Sequence, residues 1–439
     1  MLRAPTDAAL VRPAPRASGE IRLPGDKSIS HRYAILGAIA DGETRIANYS
    51  GGADCAATLA CLRALGVAVA TPGGGAVQIT GRGLHGLRQA AGPVDAANSG
   101  TTMRLLAGLV SAHPFQTVIT GDASLSRRPM RRVIAPLTEM GAAIASQDGR
   151  PPLTIDGGRL RGITYRPEVP SAQVKSAILL AGLHASGRTA VMEPAATRDH
   201  TERALTAFGV ALKQDGLAVE VEGGQRLHGR DVVVPGDISG AAFWGALAAG
   251  LPGSRVVIRD VGLNPSRIAL LDVLRRAGAS VEVAVEHEDA GEPVGRISVT
   301  FAEPRSFEIA PAEVPALIDE LPALGALGAL LPHGSFMSVR GAAELRVKES
   351  DRISALARGF QALGAAVTEY PDGFRIESRP LQGASVDAAG DHRLAMAFAV
   401  AACGASSPTT IAGAAAVDVS YPGFFEELAR LTSGTLGSR

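Results

Sequence analysis

Leu23-Pro24-Gly25-Asp26-Lys27-Ser28-Ile29-Ser30-His31-Arg32 is the stretch on which the reading of this chain turns. A Pro-Gly turn ends an extended segment, and Asp26 or Ser28 can cap the helix that the small-residue pattern over 33–40 continues. Lys27 and Arg32 would then stand at a strand-to-helix junction, where free backbone N–H groups already favour an anion. Taken alone, the same residues also describe a capped helix with ordinary surface cations. Val234-Pro235-Gly236-Asp237 nearly repeats Leu23-Pro24-Gly25-Asp26, and the two copies read as paired crossings between domains.

Outward from this opener come a strand over 44–47, a helix over about 53–65 closed by Gly66, and short strands over 67–69 and 76–79. The outline is β-α-β-α-β-β. It returns five times, with openers at residues 28, 99, 171, 239, 319 and 391, separated by 71, 72, 68, 80 and 72 residues. These periods are too long for TPR or ankyrin arrays, and six units do not make an eightfold barrel. Two groups of three are expected: a continuous domain over 24–235, and a discontinuous one made of 1–23 plus 236–439. Helix N-termini from both groups would enclose an electropositive cleft.

The 439 residues carry 43 Lys+Arg against 43 Asp+Glu, so bulk charge gives no reason to expect a nucleic-acid partner. Cys55, Cys61 and Cys403 lack metal-ligand spacing and read as reduced, buried thiols of a cytoplasmic protein. The first twenty residues lack a secretory core and read as a frayed arm. The apolar runs 240–251 and 321–331 are too short or interrupted to cross a bilayer.

Cations recur at the loop-to-helix junctions: Lys27 and Arg32, Arg104 and the run 127–132, Lys175 and Arg198, then Arg346, Lys348, Arg352 and Arg393. Distributed singly in this way, they suit a small, multiply anionic substrate pair. Asp319 and Glu349 are the acid and base candidates. Asp319 lies in an apolar setting that could raise its pKa, or a nearby lysine could hold it ionised. Glu349 stands three residues before Arg352, the spacing of a plain helical ion pair. GxSxG, HExxH and Walker A patterns are absent from the sequence.

Pro24-Gly25-Asp26-Lys27-Ser28-Ile29-Ser30-His31-Arg32, Asn98-Ser99-Gly100-Thr101-Thr102-Met103-Arg104 and Arg346-Val347-Lys348-Glu349-Ser350-Asp351-Arg352 carry a resemblance to the 5-enolpyruvylshikimate-3-phosphate synthase family. Ser171-Ala172-Gln173, Gly121-Asp122 with Arg128-Pro129-Met130, and Asp391-His392-Arg393-Leu394-Ala395-Met396 extend it. The resemblance implies an inside-out α/β barrel of two domains, each of three βαβαββ units, with the ligand cleft between them. It implies addition-elimination between phosphoenolpyruvate and shikimate 3-phosphate, without a metal or redox cofactor. By resemblance, Lys27 contacts the 5-hydroxyl and phosphoenolpyruvate, and Ser28 and Arg32 grip the shikimate carboxylate. Ser171, Ala172, Arg198 and Lys348 hold the 3-phosphate, Gln173 lies against the ring, and Arg128, Arg352 and Arg393 clamp phosphoenolpyruvate. Asp319 would accept the hydroxyl proton and Glu349 would protonate C3, with Lys27 assisting.

Val419, before Ser420-Tyr421-Pro422, departs from the lysine of better-known members. That valine, Ala172 and the 122–130 segment resemble the second class of the family. Gly100, where tolerant members can carry alanine, implies sensitivity to the inhibitor glyphosate. The rivals are a transferase acting on UDP-N-acetylglucosamine, which generally uses a mobile-loop cysteine, and a non-catalytic anion-binding repeat protein. A cytoplasmic monomer that closes its cleft on shikimate 3-phosphate, without membrane or nucleic-acid partner, is the expected form.

Overall fold

The Lys27–Ile39 helix starts where the Asp26 carboxylate accepts from the Ile29 backbone N–H at 3.0 Å, so Asp26 and not Ser28 is its cap. Ser99, Ser171, Asp237 and Asp391 cap the helices Gly100–Val110, Ala172–Gly182, Ile238–Gly250 and His392–Ala402 in the same way. Leu321–Leu330 begins after Glu320 with proline in its first turn instead of a side-chain cap. The architecture comes from a computed structural model that describes residues 7–433.

These six helices have little or no polar face. Every residue of Ile238–Gly250 and of His392–Ala402 is buried, which is why the apolar run over 240–251 is core and not a membrane span. Among the described residues no helix is long and apolar enough to cross a membrane. Small residues let the buried helices approach closely: a Cβ at Gly108 would lie 2.2 Å from the Ala177 carbonyl oxygen of the neighbouring helix. Gly25 is similarly required at its turn, where a Cβ would fall 1.8 Å from the Asn48 carbonyl oxygen.

Each buried helix feeds a sheet, giving an α/β protein of repeated βαβ units. In one repeat, Val94–Asp95 runs parallel to Gln116–Thr120, and Arg150–Asp156 lies antiparallel between Gln116–Thr120 and Ala143–Gln147. Five four-stranded sheets share this order, and the sixth has three strands. Among the described residues the sheets stay separate and no closed barrel forms.

The chain divides into two compact units. The continuous unit comprises Gly25–Pro235 with Glu288–Glu292, and the other comprises Met1–Pro24, Gly236–His287 and Pro293–Arg439. The short insert 288–292 had no sequence signal. It is the turn between Ser280–Asp289 and Glu292–Thr300, and it is tied to its unit by the His200–Glu292 pair and by Asp289 accepting from the Val233 N–H at 3.1 Å. The strand Ser18–Arg22 runs parallel to Arg255–Gly262, while Asp231–Val233 runs parallel to Asp41–Ala47. The leading strand of the first sheet therefore comes from the end of its own unit, not from the segment before Pro24.

The frayed N-terminal arm is corrected. Ala8–Val11 pairs antiparallel with Thr409–Ala412, and Asp7 accepts backbone N–H groups from Gly413 and Ala415. A strand of this kind is stabilised by a partner some 400 residues away (Ala8 opposite Ala412), which local composition does not disclose. The arm's first six residues lie outside the described residues.

His85, His113 and His184 form an edge-on cluster in the continuous unit, with ring centroids 5.2 to 6.4 Å apart. Burial pushes His184 down to about 3, and the neighbouring rings add to the fall. Folded His184 is thus neutral where the unfolded imidazole, near 6.5, already takes a proton. Its stabilising contribution is present above that value and drains as pH falls towards 3. Urea unfolding should show a loss between about pH 7 and 5 that His184→Asn makes smaller by on the order of 1–2 kcal/mol. An unchanged pH slope in the variant would contradict this.

Candidate active site

In the continuous unit, the Lys27 ammonium pairs with Asp54 at 3.0 Å, which fixes the lysine at the start of its helix. Arg32, one turn later, is buried and donates to the Ser28 carbonyl at 2.8 Å, to Thr201 Oγ1 at 2.6 Å and to Ser176 Oγ at 2.8 Å. It therefore ties the starts of the Lys27–Ile39, Ala172–Gly182 and His200–Ala207 helices together, a role its sequence position did not reveal. Burial lowers the Arg32 pKa to about 10, Glu202 opposes the fall, and the nearby Arg198 charge adds to it. Two guanidinium charges that oppose one another in this way would be stabilised by an anion.

Ser171 caps the Ala172–Gly182 helix by accepting from the Val174 N–H, so Ala172 and Gln173 occupy its first turn. Gln173 accepts from Arg104 Nη1 at 2.5 Å and donates to Thr101 Oγ1 at 2.8 Å. Of the arginines in the run 127–132, only Arg128 is buried, at 8% exposure; it donates to Asn98 Oδ1 at 2.6 Å. The other arginines of the run are solvated, as a charge run usually is. A Cβ at Gly100 would stand 2.9 Å from Arg104 Nη1 and 3.3 Å from Arg128 Nη1, so the absent side chain leaves room for both guanidinium groups.

The other unit holds the remaining candidates around Arg352, which is 1% exposed. Its guanidinium reaches Asp391 at 2.7 Å and 3.2 Å, Glu349 at 2.6 Å and Asp319 at 3.8 Å. Burial acts against that charge, but Asp391 and Glu349, with Asp319 behind them, outweigh it and raise the Arg352 pKa. The Glu349–Arg352 pair therefore exists, but on a buried guanidinium and not on a solvated helix face. Lys348 lies 4.0 Å from Asp319, and Arg393 Nη1 donates to the Asp319 carbonyl oxygen at 2.5 Å. Asp391 is the residue the sequence undervalued: one fully buried carboxylate caps its helix, accepts from Ser350 and holds Arg352.

Arg346 belongs elsewhere. It is spent on Asp351, Glu369 and the Pro371 and Tyr370 carbonyls, a loop brace that shares no carboxylate with Arg352. Asp54, Thr201, Glu193 and Glu202 were missed because their roles depend on cationic partners 18 to 169 residues away. Among the described residues, no group of three or more His, Cys, Asp or Glu could hold a metal ion.

The family model for EPSP synthase (3-phosphoshikimate 1-carboxyvinyltransferase) matches residues 11–428. This chain belongs to the EPSP synthase family. It is 52% identical over 419 residues to the 3-phosphoshikimate 1-carboxyvinyltransferase of Alkalilimnicola ehrlichii, covering 95% of this chain and 94% of the relative. Against that of Halorhodospira halophila it is 52% identical over 427 residues, covering 97% and 96%. The solved EPSP synthase of Acinetobacter baumannii superposes with a TM-score of 0.86 at 43% identity, covering 97% of this chain and 98% of that one. The enolpyruvyl transferase NikO of Streptomyces tendae shares the fold, with a TM-score of 0.77 at 19% identity over 97% and 98% of the two chains.

Within an EPSP synthase frame, Val419 ends the short helix Ala414–Val419 and is half-buried. Tyr421 after it is structural: its hydroxyl accepts from Trp244 Nε1 at 3.0 Å beneath the Phe424 ring. All three cysteines are free and buried, and burial pushes Cys61 and Cys403 up to about 12 and Cys55 higher still. None of them is a candidate nucleophile, which removes the feature a UDP-N-acetylglucosamine transferase would generally use.

Proposed function

We infer that this chain transfers the enolpyruvyl group of phosphoenolpyruvate to the 5-hydroxyl of shikimate 3-phosphate, releasing phosphate. Family membership over residues 11–428 carries the activity. For the site, the supporting observation is that one buried guanidinium, Arg352, gathers Glu349 and Asp319. The reaction needs two proton-transfer groups beside an anion clamp, and this cluster supplies both.

In this reading Asp319 takes the proton of the 5-hydroxyl as that oxygen bonds to C2. Glu349 delivers a proton to C3, forming the methyl group of a tetrahedral ketal, and its removal again expels phosphate from C2. Lys27, set by Asp54, assists at the bridging oxygen. Arg128, Arg352 and Arg393 clamp phosphoenolpyruvate, Ser28 and Arg32 serve the shikimate carboxylate, and Gln173 lies along the ring. Ser171, Ala172, Arg198 and Lys348 take the 3-phosphate, where a helix N-terminus already favours an anion. The inside-out arrangement, three buried helices enclosed by sheets, belongs to the same proposal, as does a cytoplasmic monomer. Coupled phosphate release from phosphoenolpyruvate tests the function; release with UDP-N-acetylglucosamine and not with shikimate 3-phosphate would overturn it.

Gly100→Ala should raise KM for phosphoenolpyruvate several-fold and weaken glyphosate inhibition further, with kcat little changed. The added methyl must move the Arg104 and Arg128 guanidinium ends it would meet at 2.9 and 3.3 Å. Inhibition measured against phosphoenolpyruvate checks this, and parallel loss of both affinities would argue against a pocket effect.

A further inference from the structure

The segment that carries Arg198 joins the strand Arg188–Met192 to the helix His200–Ala207. It is irregular backbone, yet both of its ends are fixed by one buried ammonium. Lys175 Nζ lies 2.7 Å from Glu193 Oε2, where the segment begins, and 2.6 Å from Glu202 Oε1, just past its end. All three side chains are at least nine-tenths buried. The Thr197 hydroxyl, next to Arg198, donates to the second Glu193 oxygen. The Glu193 N–H donates to the Leu217 carbonyl at 2.9 Å, and Thr201, beyond the segment, receives Arg32 Nε at 2.6 Å. Two carboxylates around one lysine in the interior are costly unless their geometry is used. Here that geometry closes a loop around a residue proposed to bind phosphate.

We propose that Lys175, by holding Glu193 and Glu202 at the two ends of the segment, and Thr197, by tying its middle to Glu193, are positioning residues that set Arg198 for the 3-phosphate of shikimate 3-phosphate. The inference rests on the reading of Arg198 as a phosphate ligand. It goes beyond that reading by assigning a function to three buried charges that the proposed mechanism leaves without one. The segment's order is then a determinant of specificity for a phosphorylated acceptor over the same ring without phosphate.

Lys175→Met strands two carboxylates and is expected to fold poorly, so the test uses Thr197→Val and Glu193→Gln. Calorimetric titration of each full-length variant with shikimate 3-phosphate and with shikimate gives the ratio of the two affinities. Thr197→Val should weaken shikimate 3-phosphate about fivefold to tenfold, the scale of one net hydrogen bond, and shikimate by less than about twofold. Glu193→Gln should move the ratio the same way, with KM for phosphoenolpyruvate unchanged. Arg198→Gln is the control. If it leaves the ratio intact, Arg198 is not the phosphate ligand, and the inference falls with that reading. If Arg198→Gln collapses the ratio while Thr197→Val and Glu193→Gln do not, the positioning role alone is overturned. Equal loss of both affinities in Thr197→Val would mean general loosening and would also overturn it.

Discussion

Arg352→Met is expected to reduce phosphate release by roughly 10³-fold, the upper end of the loss typical of one transition-state donor, and to lower stability by roughly 3–5 kcal/mol. Both effects have one cause. Arg352 is 1% exposed and faces Asp391 at 2.7 Å, Glu349 at 2.6 Å and Asp319 at 3.8 Å. Removing its charge leaves Asp391, with no exposed surface, without its principal counter-ion. Arg352→Lys separates stability from function. An ammonium restores a positive charge, but it cannot send Nε and Nη2 to Asp391 while Nη2 also reaches Glu349 and Nη1 faces Asp319. The lysine variant should therefore recover most of the urea midpoint and little of the turnover. If lysine restores both, fork geometry is irrelevant and Arg352 acts only as a buried charge. If methionine leaves stability within about 1 kcal/mol of the parent, the three carboxylates are not held as the distances indicate.

The six repeats were legible because each places an opener where a strand meets a buried helix, and the spacing survives variation in loop length. The candidate residues were legible as types, since cations at helix starts stand out in a chain of balanced charge. Their partners were not legible. Asp26 and Ser28 are equivalent caps on paper, and only the Asp26–Ile29 hydrogen bond separates them. Arg32 looked like a substrate ligand alone, but its bonds to Thr201 and Ser176, 169 and 144 residues away, make it a brace as well. Arg346 looked like a site cation until Glu369 and Asp351 occupied it. Periodicity reports which face is buried; it does not report which distant side chain completes a buried charge.

Glu349→Gln is expected to lower kcat by roughly 10²–10⁴, the range for a lost general acid–base group, while stability stays within about 1 kcal/mol. Glu349 is partly exposed and stands in the loop after the short helix Ala343–Val347. A glutamine there still offers a carbonyl oxygen to Arg352 Nη2, so the bond now 2.6 Å long has a neutral replacement. What glutamine cannot do is carry a proton to C3 and take it back. In the present geometry Glu349 is engaged by Arg352, and to reach carbon it must leave that bond. In the proposed mechanism an incoming phosphoenolpyruvate anion would compete for the same guanidinium, and substrate binding itself would release the acid. The reaction in deuterated water reads this step directly, because a methyl intermediate that returns to the enol retains deuterium at C3. Glu349→Gln should suppress that incorporation in parallel with turnover, whereas Asp319→Asn should slow bond formation without altering the label retained per turnover. Retained incorporation in Glu349→Gln would place the carbon acid elsewhere, and Lys27, the third proton-bearing group of the proposed mechanism, would be the next residue to substitute.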